Sequence, residues 1–200
     1  MLDFISNNSS AISAVANVIM VMVWVVYLQL MLNGIIRQRR SSLIISSSLK
    51  SDAAARCFIS NMSEGSFHIQ NLTARVHRDG EDQLSDITEP AADNHSRSFQ
   101  TPLSHGEALE LGSFEELLER FSVHRGEIGT SGLTRENPLE FHVTVVGIHG
   151  PSRKPVAARR RFGLYRDNGT LRACGMTRET EQFRWGPRRR RIVEANQVIN

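Results

Sequence analysis

Residues 56–77, RCFISNMSEGSFHIQNLTARVH, decide the fold class. Cys57 and Ile59 alternate with Arg56 and Ser60, the period of a strand with one buried face. The pattern resumes with Phe67, Ile69, Leu72, Ala74 and Val76, after the turn-forming stretch Asn61-Met62-Ser63-Glu64-Gly65. A phase slip at Gln70-Asn71 predicts a β-bulge. Two strands joined by about five turn residues predict a hairpin, and Asp79-Gly80 marks a further turn before a strand at 83–88.

Downstream, residues 89–105 lack periodicity and read as a long loop. Residues 107–111 (EALEL) form a short strand that runs into Ser113-Phe114-Glu115-Glu116. Ser113 as N-cap and Glu116 three positions on make a capping box. The helix it starts runs to about His124 and buries Phe114, Leu117, Leu118 and Phe121, with Glu115, Glu116, Glu119 and Arg120 toward water. After a loop at 126–138, residues 139–149 (LEFHVTVVGIH) hold Leu139, Phe141, Val143, Val145 and Gly147 in one phase. His142 and His149 read as solvated. Residues 156–166 return, with Ala158, Arg160, Phe162 and Leu164 on one face, and 169–174 add a short strand. Arg159, Arg160 and Arg161 read as charges that guard an edge strand. Short strands separated by turns, one inserted helix and no βαβ alternation predict a mainly β chain: an Ig-like β-sandwich spanning 56–174.

Upstream, residues 37–55 read as a Ser-rich juxtamembrane linker with an apolar knot at Leu43-Ile44-Ile45, either an interfacial turn or a first strand. Residues 11–36, AISAVANVIMVMVWVVYLQLMLNGII, contain no Asp, Glu, Lys, Arg or His. As a helix they cover about 39 Å, enough for a bilayer's hydrocarbon core. A signal peptide would need a basic start, a shorter apolar run and a cleavage site beyond it, none of which is present. The run reads as a transmembrane helix, with Trp24 and Tyr27 as aromatic anchors. No base precedes it, whereas Arg37, Arg39 and Arg40 follow at once, so residues 1–10 are expected to be exported and the remainder cytoplasmic. Gln29 and Asn33, four apart on one face near the cytoplasmic end, read as interfacial beside Tyr27. The alternative is a helix–helix contact, with Asn17 and the small residues Ser10, Ser13, Ala14 and Ala16 letting a partner helix approach, and with it a homo-oligomer.

Charge is unevenly spread. Residues 153–200 hold thirteen Lys or Arg against four acids, net +9, while 37–152 hold eleven bases and sixteen acids, net −5. Residues 175–200 read as a basic, mobile tail in which Arg188, Arg189, Arg190 and Arg191 follow Phe183, Trp185 and Pro187. Anionic lipid near the anchor is the favoured contact. An acidic partner, or none, is the second reading; nucleic acid, with the aromatics stacking on bases, is the third. Cys57 and Cys174 show no metal or redox spacing and are expected as free thiols. Asp79, Glu81, Asp82 and Asp86 lack the spacing of a calcium loop. No phosphate-loop, dinucleotide, zinc-protease or nucleophile-elbow motif occurs. No catalytic residue, cofactor or metal is therefore expected.

Together WVVYLQLMLNGIIRQRR, CFISNMSEGSFHIQNL, ALELGSFEELLERF and AARRRFGLY resemble a group of uncharacterised proteobacterial single-pass inner-membrane proteins with a cytosolic β domain. The resemblance covers most of residues 10–166. It implies a bacterial inner-membrane location and brings no activity with it. The expectation is an adaptor that presents its sandwich to a protein partner, with a membrane-tethered nucleic-acid binder as the alternative.

Overall fold

The computed structural model describes residues 9–38, 41–48, 54–78, 80–89, 98–126, 128–130, 132–150, 154–184 and 186–197. The chain divides into two units, Met1–Arg40 and Ser41–Asn200. The first is helix α1 (Ser9–Gln38). Every side chain from Ser10 to Ile36 is exposed, including Trp24 and Tyr27, whose rings meet edge to face at 6.3 Å. The run is thus not a core helix. It is long and apolar enough to span a membrane.

The second unit is mainly β, with sandwich-like sheets paired antiparallel throughout the described residues. The small sheet has the order β1-β2-β6, with β1 (Leu43–Ser48), β2 (Arg56–Asn61) and β6 (Ala108–Ser113). The large sheet is ordered β10-β8-β7-β3-β4, comprising β3 (Phe67–Arg78), β4 (Glu81–Asp86), β7 (Leu139–His149), β8 (Pro155–Asp167) and β10 (Glu181–Phe183). Two short strands join it: β5 (Pro102–Leu103) on β3 and β9 (Thr170–Gly175) on β8. The predicted alternation is visible in the core. Cys57, Ile59, Phe67, Ile69, Leu72, Ala74, Phe141, Val143, Val145, Ala158, Phe162 and Leu164 are all buried. The predicted bulge is also present, as a register shift between Ile69 and Asn71.

The expected hairpin is not. β2 pairs with β1 and β6 while β3 pairs with β7, so the turn between them is an arch from one sheet to the other. Asn61 holds that arch. Its buried side-chain amide donates to the carbonyls of Gly65 and Leu103, both at 2.9 Å, and its oxygen accepts from Ser63 N–H at 3.0 Å. Alternation reports which face of each strand is buried, and a hairpin and an arch bury the same faces.

Helix α2 (Phe114–Arg125) starts at the predicted capping box, Ser113 with Glu116. It packs against β4, β6 and β9. Phe114 lies edge to face with Phe162 at 5.0 Å and with Phe141 at 6.1 Å.

Two boundaries differ from expectation. Residues 43–48, placed within the linker, form β1, so that of the two readings of Leu43-Ile44-Ile45 the first strand is the one present; Leu43 and Ile45 are core residues. Residues 181–197, assigned to a mobile tail, form β10 and helix α3 (Gly186–Gln197), so the domain carries two helices rather than one. Nor are Arg159, Arg160 and Arg161 on an edge strand: β8 is flanked by β7 on one side and by β9 and β10 on the other. Arg160 lies on the inner face and donates across to the carbonyl of Ile45 on β1. Thr180 accepts from Ile45 N–H at 2.9 Å, and the Gln182 side chain bonds both backbone groups of Leu43. These three side chains cap the outer edge of β1, which would otherwise offer unpaired backbone groups.

Candidate functional site

Of the expected anchor flank, Trp24 and Tyr27 lie on the exposed helix, and Arg37 is in its last turn. Arg39 and Arg40, and the side chain of Arg37, lie outside the described residues, as does Trp185.

The basic run folds into α3. Pro187 falls in the first turn, where its missing N–H is not needed. Arg189, Ile192, Val193 and Asn196 follow the i, i+3, i+4, i+7 spacing of one helix face. That face docks on the outer side of the large sheet. Val193 is buried with Val146 and Ala157, and Phe183 and Ile192 pack beside them. Arg189 donates to the Pro155 carbonyl at 3.1 Å. Asn196 is 2 % exposed and accepts from the Thr73 hydroxyl, while its own carbonyl accepts from the Asn71 amide at 2.8 Å. Asn71 in turn donates to Asp86 and accepts from Thr88. Arg188, Arg190 and Arg191 remain exposed. With no acid in the first turn, these cations sit at the positive end of the helix dipole, an arrangement that an external anion would relieve. Phe183 is occupied in packing and lies under Arg159 at 5.6 Å, so it is not offered for base stacking.

Beyond α3 the same sheet face carries a polar cluster that sequence reasoning missed. Strand register sets Arg75, His142 and Arg161 side by side, with Thr73, Thr144 and Arg159 in the next row. Asp82 lies 3.1 Å from Arg75 and 2.8 Å from His77. Glu140 lies 2.8 Å from His142 and 3.7 Å from Arg161. The His77 hydrogen bond, outweighing a small burial effect and helped by the charge of Arg75, holds the Asp82 carboxyl below its ordinary range. Burial lowers the His142 imidazole, against the pull of Glu140. Burial, and then the charge of Arg75, lowers the Arg159 guanidinium. The signal was present as polar residues in the outward phase of three strands. Only the strand order shows that they meet.

Other expectations are corrected by burial. Arg120 does not face water: it is 7 % exposed, stacks over Phe99 at 4.3 Å, and leaves Nη1 without a partner among the described residues. His149 is 2 % exposed rather than solvated, and burial lowers its pKa. His142 is largely covered and has Glu140 as a partner. Cys57 and Cys174 are free thiols; burial pushes Cys57 up to about 12, whereas Cys174 is exposed. Of the acidic group, Asp82 and Asp86 are engaged by the side chains already named, and Asp79 lies outside the described residues. No group of three or more His, Cys, Asp or Glu is placed to hold a metal among the described residues. Comparison with protein-family models, with curated proteins and with solved structures finds no match to this chain.

Proposed function

We propose that this chain is a non-enzymatic, single-pass bacterial inner-membrane protein. Its N-terminus is exported, and its cytoplasmic β domain is an adaptor whose basic helix contacts anionic lipid. The observation that carries the proposal is the two-sidedness of α3. Ile192, Val193 and Asn196 fix the helix to the sheet, while Arg188, Arg190 and Arg191 are left outward. Four residues separate the last helical residue of α1 from β1, so a domain anchored by α1 would work at the bilayer surface. The helix itself supports the anchor, since in lipid its backbone is satisfied internally. An Ig-like relationship of the sheets is supported by antiparallel pairing and by the change of sheet at the β2–β3 arch.

For a protein partner the small sheet offers β6. The β1 edge is capped by Arg160, Thr180 and Gln182, and α2 lies along β4, where Arg125 donates to the Leu84 carbonyl at 2.9 Å. β6 ends its sheet and exposes Ala108 and Glu110, a geometry suited to strand addition. Mild solubilisation of the full-length chain followed by mass spectrometry is expected to yield one stoichiometric membrane or signalling partner.

The lipid contact is tested with residues 41–200, which retain β1. This fragment is expected to co-sediment with phosphatidylglycerol vesicles and not with phosphatidylcholine. Replacing Arg188, Arg190 and Arg191 together by Gln removes about 3 kcal/mol at ~1 kcal/mol per base. That corresponds to roughly a hundredfold loss of binding. Undiminished binding by the triple variant would count against the lipid contact.

A further inference from the structure

Arg159 stands apart within the polar cluster on the outer face of the large sheet. Two carboxylates there are each shared by two neighbours: Asp82 by Arg75 and His77, Glu140 by His142 and Arg161. Arg159 forms no ion pair among the described residues. Its Nε donates to the Thr144 hydroxyl at 3.2 Å, and its plane rests near the Phe183 ring at 5.6 Å. Glu181, its cross-strand neighbour on β10, is exposed and makes no ion pair with it. The guanidinium is therefore held at Nε by a hydroxyl and beneath by an aromatic shelf, while its Nη groups donate to no partner among the described residues. Burial and then the charge of Arg75 weigh on the Arg159 guanidinium, as more weakly does Arg161; Glu181 and Asp82 offset part of this, and an anion shared between the guanidinium groups would offset more.

We propose that this face binds an oxyanion of the phosphate class, gripped by the guanidinium groups of Arg159 and Arg75 above His142 and Thr144. A phosphoryl group fits because its several oxygens accept from two planar forks at once. The central strands β3, β7 and β8 set the spacing, so the receptor is preorganised. The site is distinct from the exposed arginines of α3 and does not depend on the lipid reading. Its ligand is either a free phosphate compound or the headgroup of a lipid.

The test uses the full-length chain in neutral detergent, with thermal unfolding followed against inorganic phosphate, against chloride at equal ionic strength, and against micelles doped with phosphatidylglycerol. Phosphate is expected to raise Tm where chloride does not. Arg159→Gln is expected to weaken the phosphate response at least about tenfold, and Arg159→Lys to recover only part of it, because the charge returns without the fork. Should Arg159→Gln fail to fold, Arg75→Gln takes its place. The triple Arg188, Arg190 and Arg191 to Gln variant is expected to respond to phosphate as the parent does, which separates this site from the tail. A response to doped micelles alone, lost in Arg159→Gln, assigns the site to a lipid headgroup. A response to neither ligand, or one that Arg159→Gln and Arg75→Gln leave intact, overturns the proposal.

Discussion

Gly147 of β7 pairs with Ile69 of β3, beside the bulge. A Cβ there would meet the His68 carbonyl oxygen at 2.2 Å and the Phe67 ring at 2.7 Å. Phe67 is fully buried, and the His68 backbone is held between β5 and β7, so neither can give way cheaply. Gly147→Ala is expected to cost about 2–3 kcal/mol by overpacking, measured as a shift in the denaturant midpoint at unchanged slope. Cys57 and Cys174 give a second test at this scale. A maleimide at neutral pH should label Cys174 in the folded protein and reach Cys57 only after unfolding, because burial both shields that thiol and suppresses its thiolate. Titration supplies a third. Burial holds His142 and His149 below their ordinary pKa, so below about 6.5 the unfolded chain binds protons that the folded one does not. Stability should therefore fall as pH drops from 7 toward 5. Asp82, whose folded pKa is depressed, adds stability that is present above its ordinary 3.8 and lost only as pH falls through its lower folded value. Its window lies below that of the histidines. Tm measured across pH 5 to 8 should show the slope, and His149→Gln should flatten it. An unchanged slope in that variant would remove His149 from the account.

Helix α3 shows what one element's sequence does and does not announce. Its charge was legible as a run of four arginines, but its docking face is short: Ile192 and Val193, completed by Asn196, whose partners lie over 120 residues away. Burying Val193 and part of Ile192 yields only a few kcal/mol, so the polar latch decides whether the helix stays down. Asn196→Ala leaves the buried Thr73 hydroxyl short of a partner, while the Asn71 bond, made to the Asn196 backbone carbonyl, survives; the change is expected to loosen α3 by about 1–3 kcal/mol. Faster amide exchange in α3, and faster tryptic cleavage at Arg188 to Arg191, would report it. Equal exchange in the variant would place the docking elsewhere. Contrast α2, where the Ser113–Glu116 capping box and the apolar stripe are local in sequence: its start and its buried apolar residues match the sequence expectation, Arg120 being the exception. Strand alternation was legible in the same way, since each strand carries its own period. Partnership was not. Asn61, the last residue of β2, holds the arch partly through local bonds to Gly65 and Ser63, but its bond to Leu103 comes from 42 residues away and strand alternation does not announce it. The cap on β1 is non-local too, and removing it by Arg160→Ala, Thr180→Ala and Gln182→Ala together should promote concentration-dependent association visible by light scattering.

At the scale of the whole molecule, the chain pairs a long apolar helix with an antiparallel β domain that begins at Ser41 and carries its positive charge toward the end of the chain. The placement of basic residues only after the apolar run is the basis for the proposal that the domain is cytoplasmic. Cys174 makes that assignment measurable without any added reporter, since Cys57 is buried and the span itself contains no cysteine. A membrane-impermeant maleimide is applied to right-side-out spheroplasts and to inverted inner-membrane vesicles from cells making the full-length chain. Labelling of Cys174 only in inverted vesicles, on a chain that stays with the membrane after alkaline carbonate, is the predicted result. Labelling in spheroplasts, or a shortened chain recovered in the soluble fraction, would contradict it.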